Sequence, residues 1–144
     1  MFGFKSRLDT LQAAILDIKL KHLKEFTQKR RQHAEKYKKV LSSIPQISLP
    51  TEMDYAHHVY HVYAIQAERR NELSKFLEEK GIKTVIHYPI PIHLQEVYGS
   101  LGFKKGDFPV SERLSGSILS LPMFPELTNE EIEYISEKIH EFYR

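Results

Sequence analysis

The apolar positions between Leu8 and Leu23 fall into two adjacent stripes: Leu8, Leu11, Ile15 and Ile18, then Leu16, Leu20 and Leu23. Spacings of three and four residues mark one face of a helix. Ser6 with Asp9 resembles a capping box, so the helix is expected to start near Arg7. Nothing breaks it before Ser42-Ser43-Ile44-Pro45. That makes a helix of about 35 residues, about 50 Å long at about 1.5 Å per residue. Such a helix is long for a small domain. Its two stripes imply packing against more than one body, or against a second subunit.

After residue 42 the pattern changes. Pro45, Pro50 and Asp54 mark a loop over 43–58. The run His58-Val59-Tyr60-His61-Val62-Tyr63-Ala64-Ile65 is β-branched and aromatic, and predicts a strand buried on both faces. Arg69 to Lys80 is an amphipathic helix with Leu73, Phe76 and Leu77 inside, closed by Gly81. Ile82 to Ile86 is a second strand, and Leu94 to Leu101 a short helix ended by Gly102. Lys105-Gly106-Asp107 reads as a turn. Pro109 opens a helix to about Gly116. Ser117 to Leu121 is a short strand stopped by Pro122 and Pro125. Thr128, with Glu131 three residues on, caps a last helix whose stripe is Ile132, Ile135, Ile139 and Phe142. The order predicts an α/β (α+β) layer domain with helices on one face of a small sheet. Its division falls between a long helix, 1–42, and a compact remainder, 43–144.

Composition narrows this only a little. The chain has 144 residues, 41% hydrophobic and 28% charged, which suits one ordinary globular domain with a real core. A net charge of +2 says little about partners. No apolar run approaches the roughly 20 residues of a membrane helix, and the first residues lack a signal-peptide core. No membrane partner and a cytoplasmic location are therefore expected. The absence of cysteine excludes disulfides and thiolate metal sites.

The strongest chemical feature is His87-Tyr88-Pro89-Ile90-Pro91-Ile92-His93. Two prolines at i and i+2 fix φ and remove two donors, so the segment is neither helix interior nor central strand. It is a stiff extended loop holding two histidines and a tyrosine after a strand, a common way to build a ligand site. The plainer alternative is a proline-stiffened connection with incidental histidines. Other candidates are weaker. Lys19 to Lys39 holds nine Lys/Arg and two acids, but a solvated helix face explains that better than nucleic-acid binding. His57, His58 and His61 suggest a metal. On a strand, however, 57 and 61 lie about 13 Å apart at about 3.3 Å per residue, too far for one ion with bonds of about 2.1 Å to nitrogen. No metal is expected. Hydrolase signatures are absent. Asp107 and Glu112 flank Pro109 as dipole partners of a helix start.

Four segments taken in order resemble one family: Gly3-Phe4-Lys5-Ser6-Arg7-Leu8-Asp9 with Leu11-Gln12-Ala13-Ala14-Ile15-Leu16; His87-Tyr88-Pro89; Gly106-Asp107-Phe108-Pro109-Val110-Ser111-Glu112-Arg113; and Leu119-Ser120-Leu121-Pro122-Met123-Phe124-Pro125. Together they are similar to the C-terminal part of the DegT/DnrJ-type nucleotide-sugar aminotransferases, pyridoxal-phosphate enzymes of the aspartate-aminotransferase fold. The resemblance covers Gly3 to Phe142. It implies that 1–42 is the helix linking a large cofactor domain to the small C-terminal domain, 43–144. It implies an enzyme that moves an amino group from an amino acid, glutamate, to a keto-sugar nucleotide, and that works as a homodimer.

The resemblance assigns cofactor-phosphate contacts to Lys5 and Arg7, with Lys5 standing where the family has asparagine. It assigns substrate contacts to His87 and Tyr88, with His93 as a further candidate. The Schiff-base lysine belongs to the large domain, and no lysine here lies in such a motif. No catalytic residue is therefore assigned. The chain is expected to be a fragment, a truncated frame or an isolated domain, inactive alone. The alternative is a non-catalytic dimerisation or interaction module.

Overall fold

The computed structural model describes residues 8–144. Asp9 begins the first helix, α1 (Thr10–Leu20), its carboxylate accepting from the Gln12 N–H at 2.8 Å. The expected capping pair involved Ser6, which lies outside the described residues. The single long helix is in fact two. At Lys21–His22 the chain tightens, the His22 N–H bonding the carbonyl of Lys19 three residues back at 3.0 Å. A second helix, α2 (Leu23–Leu41), then starts. Tight turns of this kind are common where helices end, and here no glycine or proline announces it.

The difference between the two helices is large. No residue of α1 is buried, whereas His33, Ala34, Tyr37 and Leu41 of α2 are. The core therefore reaches back into α2, short of its N-terminal half.

Three short strands form an antiparallel sheet in the order β1 (Ile47–Ser48), β2 (Tyr63–Ala67), β3 (Ile118–Leu121). Tyr63 pairs with Leu121 and Ile65 with Leu119. In β2 the side chains alternate, with Tyr63, Ile65 and Ala67 buried and Gln66 exposed. This corrects the expected strand over 58–65 buried on both faces. The stretch before Tyr63 stays off the sheet because other groups take its backbone. The carbonyls of His58 and Val59 accept from Arg31 and Arg30 at 2.6 and 3.0 Å. The Tyr60 N–H donates to Nδ1 of His58 at 2.8 Å, and Tyr60 has φ +47°.

The helix α3 (Arg70–Glu79) ends at Gly81, whose φ of +79° suits a glycine at this position. The Ile82 N–H reaches the Leu77 carbonyl at 2.8 Å. The expected strand 82–86 reduces to one bridge, Val85 against Ser120, because the proline loop follows at once. The expected helix 94–101 is two 3-10 turns, Ile92–Leu94 and Glu96–Leu101, separated by an extended Gln95. Pro109 does open the next helix, α4 (Pro109–Ser117). Thr128 and Glu131 form a full capping box on α5 (Asn129–Tyr143), at 3.2 and 2.8 Å.

Tyr63, Ile65, Leu119 and Leu121 meet Ala34, Tyr37 and Leu41 of α2, Leu73 and Leu77 of α3, and Ile132, Ile135 and Ile139 of α5 in one core. Buried Arg70 ties α3 to the end of α4, donating to the carbonyls of Ser115 and Ile118 at 3.0 and 2.8 Å. The fold is α+β, a small antiparallel sheet with packed helices. Among the described residues no helix is long and apolar enough to cross a membrane.

Candidate functional site

Alternation along β3 sends Leu119 and Leu121 into the core and Ser120 to the opposite face. Against that second face lie the 87–95 loop and α4. Val85, bridged to Ser120, delivers the chain into the loop. His87 is half-buried there, its Nδ1 2.9 Å from the Ser120 hydroxyl oxygen. The His87–Tyr88 peptide is cis. The Tyr88 ring stands edge-on to His87 at 5.5 Å and is 72% exposed. A cleft of about 260 Å³ opens beside His87, with Tyr88, Ile90, Gln95, Ser111 and Leu114 among its walls.

His93 is placed differently. Its Nε2 lies 2.9 Å from a carboxylate oxygen of Glu112, with both side chains largely out of solvent, and its ring packs on Phe108 at 4.7 Å. The same Glu112 oxygen accepts from the N–H of Gly106 at 2.8 Å and, more weakly, of Phe108 at 3.4 Å. The Gly106 N–H, and then His93, hold the Glu112 carboxyl below the usual carboxylate range against the opposing effect of burial. Glu112 thus acts as a fastener joining the 102–108 turn, the start of α4 and the His93 turn. Beyond it lies a hollow of about 380 Å³ faced by Tyr98, Phe103 and Phe108.

His87, Tyr88 and His93 therefore share one side of the sheet, but only His87 and Tyr88 line the cleft directly. Lys5 and Arg7 lie outside the described residues. Sequence reasoning missed Ser120 and the hub role of Glu112. A signal for the first existed: a serine between two leucines of a strand must face away from them and, if covered, needs a partner. His57, His58 and His61 sit on the irregular segment before β2, where His58 serves the Tyr60 N–H. Among the described residues no group of three His, Cys, Asp or Glu could hold a metal ion.

Several cations of α2 are already paired. Arg31 makes a forked contact to Glu52 at 2.7 and 3.0 Å, and Lys29 meets Glu25 at 2.9 Å. Every described lysine is exposed or half-buried, and none lines the cleft beside His87, whereas pyridoxal phosphate needs a lysine poised at its reactive carbon.

A profile of the DegT/DnrJ/EryC1/StrS aminotransferase family matches residues 1–140. The chain belongs to this family. The "Pleiotropic regulatory protein" of Geobacillus stearothermophilus is 48% identical over 100% of this chain and 39% of its own length. The dTDP-3-amino-3,6-dideoxy-alpha-D-galactopyranose transaminase of Aneurinibacillus thermoaerophilus is 39% identical over 97% of this chain and 38% of its own. The crystal structure of DesV from S. venezuelae superposes with a TM-score of 0.92 at 34% identity, over 100% of this chain and 39% of that one. The chain thus spans about two fifths of the length of the relatives it matches. It corresponds to the C-terminal part of these aminotransferases.

Proposed function

We propose that this chain is the substrate-facing C-terminal part of a cytoplasmic, pyridoxal-phosphate-dependent sugar aminotransferase. The whole enzyme would move an amino group from glutamate to a keto-sugar nucleotide and would work as a homodimer. The observation that carries the reading is the family match over residues 1–140, joined to a stiff loop that sets His87 and Tyr88 on the wall of a cleft.

In this reading the remainder of the enzyme supplies the reactive lysine and the cofactor's seat. The chain's own residues bind and orient. His87 offers a ring nitrogen to a sugar oxygen, and exposed Tyr88 offers a hydroxyl and a flat apolar face. The Glu112 fastener keeps the neighbouring turns in place, with His93 holding that fastener and bordering the substrate side. Lys5 and Arg7 are assigned to the cofactor phosphate by the family resemblance alone. Residues 1–42 link to the larger part and 43–144 form the small domain. The exposed stripes of α1 also favour a second reading, in which the chain alone is a non-catalytic dimerisation module.

The test is His87→Ala in an intact aminotransferase carrying this loop. Loss of one polar substrate contact should cost about 1–3 kcal/mol of transition-state binding, with the unfolding midpoint little changed. An unaltered kcat/KM for the keto-sugar would remove His87 from the site.

A further inference from the structure

Ser120 is 5% exposed although it faces away from the core. Its backbone N–H and carbonyl are both engaged with Val85, at 2.8 and 3.1 Å, so the strand holds its Cα in place. A buried hydroxyl needs a partner. Among the described residues it has one, Nδ1 of His87, at 2.9 Å.

A hydroxyl can donate or accept, and so can Nδ1 of a neutral imidazole. If Nδ1 carried the proton, the Ser120 O–H would be left without an acceptor among the described residues. An unmet buried donor is the costlier arrangement. If Nδ1 is bare, the O–H donates to it and both groups are satisfied. The ring proton then sits on Nε2, across the ring from β3, where no described residue supplies a hydrogen-bond partner. The edge contact with Tyr88 limits the ring further. The cleft beside it carries Gln95 and Ser111 as additional polar walls.

We propose that Ser120 is a positioning residue: its hydroxyl locks the neutral His87 ring in the Nε2–H form and presents that N–H to the cleft as a fixed donor for an acceptor oxygen of the sugar. The second half of this statement rests on the substrate reading above. The first half rests on the hydrogen bond alone. Without the lock, a flipping ring would offer a C–H or a bare nitrogen in part of the population, and binding would bear the cost of ordering it.

The test uses this chain, 15N-labelled at histidine, at about pH 8, above the ordinary histidine range. Long-range proton–nitrogen correlations report which ring nitrogen is protonated, and H87Q identifies the His87 signals by their loss. The expected spectrum has a protonated Nε2 and a bare Nδ1 moved upfield by its hydrogen bond. S120A should lose that upfield shift, and S120T, which keeps a hydroxyl, should retain it. A protonated Nδ1 in the wild-type chain overturns the proposal whether or not S120A folds. So does an unchanged Nδ1 signal in folded S120A. In an intact aminotransferase with this loop, S120A should raise KM for the keto-sugar several-fold, with S120T restoring it. A confirmed Nε2–H lock combined with an H87Q enzyme of unchanged kcat/KM would overturn the presentation to substrate while leaving the lock in place.

Discussion

The first helix and the last are built from similar residues at the same spacing, yet they end in opposite environments. In α5, Ile132, Ile135 and Ile139 are 1%, 4% and 0% exposed, whereas in α1, Leu11, Ile15 and Ile18 are 72%, 49% and 60% exposed. Both helices begin with a side-chain cap, Thr128 in one and Asp9 in the other. Neither capping nor periodicity separates them. Connectivity does. The chain brings α5 back onto α2, α3 and the sheet, while the turn at Lys21–His22 divides α1 from the part of α2 that enters the core. An amphipathic pattern states that a helix has a face to cover. It does not state that the cover lies in the same chain.

Substitutions on the two stripes should separate them most. Ile139→Ala empties a fully buried position and should cost about 2–5 kcal/mol in urea unfolding. Ile15→Ala should stay within about 0.5 kcal/mol. The α1 stripe should instead drive self-association, visible in sedimentation velocity and weakened by Ile15→Asp. A concentration-independent wild-type monomer would remove that role from α1.

The caps sharpen the same contrast on a smaller scale. Thr128→Ala should lower global stability by about 1 kcal/mol, because α5 is part of the cooperative core. Asp9→Ala should reduce helical circular dichroism without moving the unfolding midpoint. An equal shift of the midpoint by both variants would mean that α1 folds with the core.

The smallest expected effect is a pH dependence within the segment before β2. The Arg31 guanidinium, and then the His58 N–H, hold the Glu52 carboxyl at about 2, well below its ordinary value near 4.5. The depressed pKa belongs to the folded state, so this contribution is complete above about pH 4.5 and fades as pH falls toward 2. Glu52→Gln should flatten the stability profile in that acid window and leave its shape unchanged near neutrality. An identical acid limb in both proteins would show that the fork does not stabilise the fold.

Much of the compact part was legible in the sequence, because its signals are local. Gly81, Pro109 and the Thr128–Glu131 pair each act within one turn of backbone, and each marks the expected boundary. The strand 58–65 misled because its residue types suit a sheet, while its carbonyls were claimed by Arg30 and Arg31, about thirty positions away in the chain and invisible to a short-range pattern. The loop around His87 was legible from its prolines. Its anchor was not, since Ser120 lies 33 positions further on. The break at Lys21–His22 carries no proline, glycine or cap to announce it.

The most direct measurement of the central reading is a titration of this chain with pyridoxal phosphate, followed by borohydride trapping, peptide mapping and an assay with glutamate. Surface lysines form slow, scattered adducts, so the readout is stoichiometry at a single site. The expected result is sub-stoichiometric labelling spread over exposed lysines and no amino-group transfer, because the described residues offer no lysine beside the His87 cleft. Stoichiometric trapping at one lysine, together with transfer from glutamate, would contradict the reading of this chain as the substrate-facing part of a larger enzyme.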